Sequence, residues 1–333
     1  MNPPFPTTGG LRWSYAINCW KPGFMGFARV EEHERAFKTM SAAGFGAVEL
    51  KAGSGRWDTL GRPENIVASY GSLEDFRDTI GSWGMAAVSS VFLDPFQMSF
   101  EDLHFGLDPL NESQRSMLTD TAVLHSRALA TLGGDWLVVR PVASFSKQGA
   151  LSRDQLLRLG EAWTAIGKGT RTHGIGIALH VDALSALRSI EDLEVVLEAL
   201  DPAVGGLALD TAELTMAGHD VAAFYEHFHD RIVHCHFKDA LAVDELDEYR
   251  LPNAERALVQ SGGSRGIRRW FAEMGTSQGH VDFERLARAM VRHHYRGWVV
   301  VESDGGPSPV AAGVMSNGWY VRQRLLPVLA PIT

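Results

Sequence analysis

The stretches Gly206–Leu214, GLALDTAEL, and Ile232–Ala240, IVHCHFKDA, decide how this chain is read. Side chains two apart on an extended strand share a face. His234, His236 and Lys238 therefore point one way, and Val233, Cys235 and Phe237 the other. The run before them ends at Asp210. Working outward, Ile177–Ala183, IALHVDA, puts Ala178, His180 and Asp182 on one face and Ile177, Leu179 and Val181 on the opposite one. Trp298–Asp304, WVVVESD, leaves its apolar run at Glu302. Four successive runs thus end in a histidine or a carboxylate with matching parity.

The same beat continues to the N-terminal half. Strands are predicted at 12–18, 46–51, 86–92, 136–140, 176–182, 206–210, 232–238 and 298–302. Amphipathic helices are predicted between them at 31–43, 73–83, 112–132, 153–173, 190–200, 221–228 and 283–294. Such alternation marks a parallel sheet covered by helices. Ser189 stands where an N-cap belongs, ahead of acidic residues that suit the positive end of a helix dipole. Gly44, Gly84, Gly174 and Gly297 each separate a helix from a strand, where the chain is expected to leave through a positive φ. There is no break in composition and no glycine-rich phosphate turn after the first strand. The pattern therefore predicts an α/β fold, a single (β/α)8 TIM barrel over residues 1–333, rather than an open doubly wound sheet. Long loops are expected after strands 2 and 7, at 53–72 and 240–280, on the face where such barrels carry their sites. They read either as surface decoration or as a lid or specificity wall.

Hydrophobic residues make up 45% of the 333-residue chain and charged residues 21%, ordinary values for a globular protein. No apolar run reaches the length that spans a bilayer. The first residues lack the pattern of a secretory signal, and Cys19 and Cys235 form no disulfide framework, which together predict a cytoplasmic protein. The formal charge of −9 and the lack of a basic cluster predict that neither nucleic acid nor membrane is a partner.

Histidine nitrogens with carboxylate oxygens suit a first-row transition ion better than calcium, whose sites are built from oxygen. His180, Asp210, His236 and Glu302 are the expected ligands. Mn²⁺ is the first expectation, with Fe²⁺, Co²⁺, Zn²⁺ or Mg²⁺ as alternatives. Taken singly, each residue also has a plain structural reading: a satisfied core histidine, a helix cap for Asp210, a rim ion pair for Glu302.

LALDTAEL, IVHCHFKDA and VVVES, in this order and spacing, resemble the sugar-phosphate isomerase/epimerase superfamily of xylose isomerase-like barrels. Within it, HVDALSALRSIEDLEVVLEALDP, LALDT, DRIVHCHFKD and the late GTSQGHVDF look closest to the inosose dehydratase branch and related keto-sugar lyases. Catalytic subunits of C-glycoside deglycosidases belong to that group. The resemblance implies a metal held at the ends of strands five to eight, here His180, Asp210, His236 and Glu302. It departs from the epimerase pattern at His180, where those enzymes carry a glutamate that both ligates and transfers protons. It departs again at Glu213, where many members place a substrate-contacting histidine.

Metal-assisted enolisation is the implied chemistry, followed by loss of a β leaving group from a keto-sugar, a keto-glycoside such as a 3-oxo-C-glycoside, or a keto-inositol. The alternatives are a metal-dependent ketose isomerase or 3-epimerase and, in another class, a non-catalytic barrel subunit. The candidate bases are His234, Asp182, Glu302 and His280, and Lys238 is placed to hold a hydroxyl or an enolate oxygen. Glu49, Arg140, Glu213 and Trp13 are the expected substrate contacts, with Tyr15, Trp20, Phe92 and Trp57 as further aromatic candidates. The substrate is expected to be a small carbohydrate or glycoside without phosphate, since only Gly305 and Gly306 offer a nest near the last strands. A homo-oligomer, or a hetero-oligomer with a smaller subunit, is expected.

Overall fold

The computed structural model describes residues 3–20, 30–52, 60–97, 106–252, 254, 270–303 and 308–330. Eight strands close into a parallel barrel: β1 (Leu11–Ala16), β2 (Ala47–Ala52), β3 (Ala87–Leu93), β4 (Trp136–Val139), β5 (Gly176–His180), β6 (Gly205–Asp210), β7 (Ile232–Phe237) and β10 (Gly297–Val301). Around the barrel the order is β1-β10-β7-β6-β5-β4-β3-β2. A short antiparallel pair, β8 (Asp239–Ala240) and β9 (Phe271–Ala272), follows β7. The predicted strands coincide with these within two residues at either end. Among the described residues, no helix is long and apolar enough to cross a membrane.

Parallel strands buried on both faces need apolar side chains on both. Outside the barrel, Leu50, Leu137, Leu179, Leu209, Cys235 and Val299 join the layer under the helices. Inside it, the N-terminal end is closed by Arg12, which lies 4.3 Å over the Trp298 ring. Asp135 binds both, accepting from Arg12 Nη2 at 2.6 Å and Trp298 Nε1 at 3.0 Å. Val138, Ala178 and Ala208 form an apolar layer above this plug. The next layer upward is polar, and the register aligns Asp210 with His236 and Val300 with His236 across β6, β7 and β10.

Several local expectations meet their physical cause here. Ser189 Oγ accepts from the Asp192 amide at 3.2 Å and caps Ile190–Ala199. Gly44, Gly84 and Gly174 have φ of 111°, 96° and 79°. Gly297 does not serve that purpose: the positive φ after Phe283–Arg292 falls on His294, at 55°. Gly297 is needed for space, since a Cβ there would lie 2.7 Å from Tyr295 Oη. Helices outside the predicted set include Pro63–Tyr70 and Thr211–Met216, both short, and the C-terminal Val310–Tyr320.

Trp13 is a correction. It faces out of the barrel, edge-on to Phe5 and Phe237 at 6.4 and 6.2 Å, and is buried beneath the helices rather than at the mouth. Tyr15 shares that layer, against Phe45. Trp57, Gly305 and Gly306 lie outside the described residues, as do parts of both long segments.

His33, on Val30–Ala43, is buried and its Nδ1 lies 2.7 Å from Tyr70 Oη. Burial lowers its imidazole to about 4. The unfolded chain takes up this proton near pH 6.5, the folded chain only near 4. Stability from this residue is therefore complete above pH 6.5 and falls as pH drops toward 4, by roughly 3 kcal/mol in full. Urea midpoints at pH 7 and pH 4.5 should separate the wild type from His33→Gln, with the wild type losing more on acidification. Equal losses would remove His33 as a source of acid sensitivity.

Candidate metal centre

The C-terminal mouth gathers polar side chains from the ends of β5, β6 and β7 and from just beyond β10. His180 Nε2 lies 3.3 Å from Asp210 Oδ2. His236 Nδ1 lies 3.8 Å from the same oxygen and 3.7 Å from Glu302 Oε1. Donors around a first-row divalent ion at about 2.1 Å sit roughly 3 to 3.5 Å apart, so these atoms stand close to the required spacing. His180, Asp210 and His236 form one compact triad of this kind, and all are fully or nearly buried.

The remaining atoms of the ligand-type residues are already engaged. Asp210 Oδ1 accepts from the Ala212 and Glu213 amides, each at 3.0 Å, and caps Thr211–Met216. That leaves Oδ2 facing the site. His180 Nδ1 meets Asp182 Oδ1 at 2.8 Å, so Nε2 faces inward. His236 Nε2 meets Glu49 at 3.1 Å, and its buried Nδ1 makes no hydrogen bond among the described residues. Glu302 Oε2 lies 3.0 Å from Lys238 Nζ, and Oε1, which faces His236 Nδ1, also accepts from Asn18 Nδ2 at 3.2 Å. Ligating histidines commonly donate their second ring N–H to a carboxylate, and each histidine here has its second ring nitrogen within hydrogen-bond distance of one. A second triad, Glu49, His234 and His236, is equally compact. Its short distances are those of hydrogen bonds, with His234 Nε2 and His236 Nε2 both directed at Glu49.

Charge balance points the same way. Among the described residues, six buried carboxylates, Glu49, Asp94, Asp182, Asp210, Glu213 and Glu302, share this interior with the permanent cations Arg140 and Lys238. Arg140 reaches Asp94 at 3.4 Å and Asp182 at 3.5 Å. Lys238 Nζ reaches Glu302 at 3.0 Å, Asp210 at 3.2 Å and Glu213 at 3.7 Å. Burial works against charge on His180, yet Asp182 and Asp210 raise it well above the ordinary histidine value. Burial likewise opposes charge on His236, and Glu49 and Glu302 overcome it. Burial lowers His234. Against burial, Lys238 and His180 hold Asp210 below the usual carboxylate range, as His180 and Arg140 hold Asp182. Glu49 is also held low, with the histidines outweighing burial. Burial pushes Glu213 up to about 8, with Asp210 and Asp182 adding to the effect. A divalent cation at the triad supplies positive charge where the protein otherwise draws protons onto its histidines.

The structure brings together His180, Asp210, His236, Glu302, Lys238, Asp182, Arg140 and Glu213. Glu49 and His234 lie one layer deeper, both essentially inaccessible. His280 is apart from the cluster: it is exposed, and its amide binds Ala240 O at 2.9 Å beside the β8–β9 pair. Asn18, Asp94 and Phe92 escaped the candidate ligand and base sets. The signal for Asn18 and Asp94 was available, since each sits two residues beyond an inward position, Ala16 and Phe92. Phe92 packs edge-on to His180 at 5.1 Å.

Fold and site define a (β/α)8 barrel with two histidines and two carboxylates gathered at one rim, three of them spaced for a divalent metal. The chain belongs to the xylose isomerase-like TIM barrel family, whose model matches residues 37–316. It is 30% identical over 147 residues to an inosose dehydratase of Salmonella typhimurium (strain LT2), covering 44% of this chain and 46% of the relative. The chain therefore spans about half the length of that curated relative. Among solved structures it resembles an L-ribulose 3-epimerase, with a TM-score of 0.70, 15% identity and coverage of 96% and 95%. It also resembles the IolI protein with a bound zinc atom, with a TM-score of 0.66, 13% identity and coverage of 96% and 100%.

Lys238→Met leaves three buried carboxylates without their lysine, which should cost about 3 kcal/mol or more. A divalent ion that binds the triad should return much of that loss. Thermal unfolding with EDTA and with added Mn²⁺ checks this: the metal-induced rise in Tm should be larger in the variant than in the wild type. An equal rise would separate the lysine from the metal-binding atoms.

Proposed function

We propose that the protein is a divalent-metal-dependent lyase on a keto-sugar, keto-glycoside or keto-inositol. It removes a proton next to a ketone and expels a β leaving group. The observation that carries the reading is the convergence of His180 Nε2, Asp210 Oδ2, His236 Nδ1 and Glu302 Oε1 beside a lysine and a carboxyl that favours its neutral form. The dehydratase relative supports elimination. The zinc-bound fold neighbour supports a metal in this kind of barrel.

His180, Asp210, His236 and Glu302 would hold the ion, with Mn²⁺ first and Fe²⁺, Co²⁺ or Zn²⁺ as alternatives. When bound, a divalent ion supplies Lewis acidity toward the ketone oxygen and lowers the cost of removing the neighbouring proton. Glu302 takes the proton from the carbon beside the ketone, and the electron pair enters the enolate. Lys238, held among Glu302, Asp210 and Glu213, places its ammonium where oxygen charge grows. The enolate reforms the ketone with a new C=C bond as the β C–O or C–C bond breaks, and Glu213 hands its proton to the departing group. A carboxyl at about 8 is mostly protonated at neutral pH, as that step needs. His180 gives the site only one proton-transferring glutamate ligand, which favours elimination over epimerisation, where two opposed acid–base groups are required.

Metal analysis of protein purified without added ions should find near-stoichiometric first-row metal in the wild type and none in His236→Ala or Glu302→Ala. A metal-free wild type that cannot be loaded overturns the rim site.

In D₂O, the Mn²⁺ protein should eliminate water or aglycone from keto-inositols or 3-keto-glycosides and exchange the proton beside the ketone. In Glu213→Gln, exchange should persist while elimination falls by about two orders of magnitude. Interconversion of ketoses without loss of a leaving group would instead establish the isomerase or epimerase reading.

A further inference from the structure

Glu49 entered as a substrate contact, and its surroundings assign it otherwise. It is buried on β2, and its Oε2 accepts from Ser90 Oγ at 2.7 Å, His234 Nε2 at 3.2 Å and His236 Nε2 at 3.1 Å. Its other oxygen also lies 3.1 Å from His236 Nε2. Three donors from β3 and β7 converge on one carboxylate beneath the mouth, which leaves little capacity for a sugar hydroxyl.

A neutral imidazole carries its proton on one nitrogen and a lone pair on the other. Donation from His236 Nε2 to Glu49 therefore leaves the lone pair on Nδ1. Nδ1 faces Asp210 Oδ2 at 3.8 Å and Glu302 Oε1 at 3.7 Å, too far for a hydrogen bond to either. Those oxygens and that lone pair are the donor set of the rim. His234 has no path of its own to the mouth: it is fully buried, and its Nδ1 makes no hydrogen bond among the described residues. Its contact with Glu49 helps fix the carboxylate that fixes His236.

We propose that Glu49, clamped by Ser90 and His234, is a positioning residue that sets His236 in the Nε2–H tautomer, so that Nδ1 is offered to a divalent cation at the rim. This rests on the metal reading above. Glutamine at position 49 has nearly the same shape. With its carbonyl oxygen in the place of Oε2, where the three donors converge, its NH₂ falls in the place of the other oxygen, 3.1 Å from His236 Nε2, and sets a proton against the one that nitrogen carries.

The test uses Glu49→Gln with Ser90→Ala as the milder partner, both checked for folding by circular dichroism and Tm. Co²⁺ titration followed by its visible spectrum reads affinity and ligand geometry, and ¹⁵N shifts of the His236 ring in metal-free protein at alkaline pH read the tautomer. Glu49→Gln should bind Co²⁺ about 10- to 100-fold more weakly. Its spectrum should be altered and His236 should lose the Nε2–H signature, while Ser90→Ala shows a smaller shift of the same sign. At saturating metal, KM for any substrate should stay near the wild-type value, since Glu49 touches no substrate. Unchanged Co²⁺ affinity and an unchanged tautomer in Glu49→Gln overturn the assignment, as does a wild-type His236 protonated on Nδ1 alone. If wild-type protein takes up no Co²⁺, the rim reading fails, and the ¹⁵N signature still decides what Glu49 does to His236.

Discussion

Burying like charges together is the constraint on which this molecule turns. An isolated buried carboxylate is costly enough that a protein either pairs it or neutralises it. The six that share this barrel interior among the described residues require both. Asp210 shows how the load is divided within a single side chain: one oxygen is spent on the first turn of Thr211–Met216 and the other is left for His180, Lys238 and a cation. Asp210 is a helix cap, and the cap leaves its second oxygen facing the rim, where the proposed ligand role needs it. The cap orients the carboxylate and withdraws one oxygen from competition.

Strand parity made most of this legible from the sequence. Once His234, His236 and Lys238 were seen to alternate with Val233, Cys235 and Phe237, the inward set followed without knowledge of the barrel's radius. Parity does not say how far up a strand a side chain stands relative to its neighbours across the barrel. Glu49 and His234 share the inward face with His180 and His236, yet sit a layer lower, because stagger between strands is set by barrel closure rather than by any one segment. The same limit explains Trp13. Its strand was found, but which alternate set faced inward on β1 depended on Ser14, which bonds Ser89 across the interior at 2.7 Å, and not on the larger aromatic side chains. His280 misled for another reason: it lies in a segment without periodicity, where spacing carries no information about direction.

A histidine at position 180 changes the electrostatics as well as the proton chemistry. With a neutral histidine at this position, Asp210 and Glu302 would be the two anionic donors of the proposed set, which matches the charge of a divalent ion. The support for His180 runs laterally, through Asp182 to Arg140 and on to Asp94. His236 is supported from below, through Glu49. Two independent supports reach the rim from different strands, which leaves the mouth itself to Lys238, Glu213 and Glu302.

The segment after β7 governs how strongly those three interact. Asp239 ties its two ends together, accepting from the Ala240 amide at 2.9 Å and the Val281 amide at 3.1 Å. Between those ends, β9 brings Phe271 over Lys238, with Nζ 4.1 Å from the ring centroid. Tyr249, Phe271 and Met216 pack as one apolar cluster with Ala183 and Ala212, the latter two flanking the rim carboxylates. An aromatic face over a buried ammonium adds a cation–π attraction and also keeps water from the lysine, so its pull on Glu302, Asp210 and Glu213 is exerted at low local dielectric. The segment that the sequence left open as decoration, lid or specificity wall thus contributes, through Phe271, to the field around Lys238.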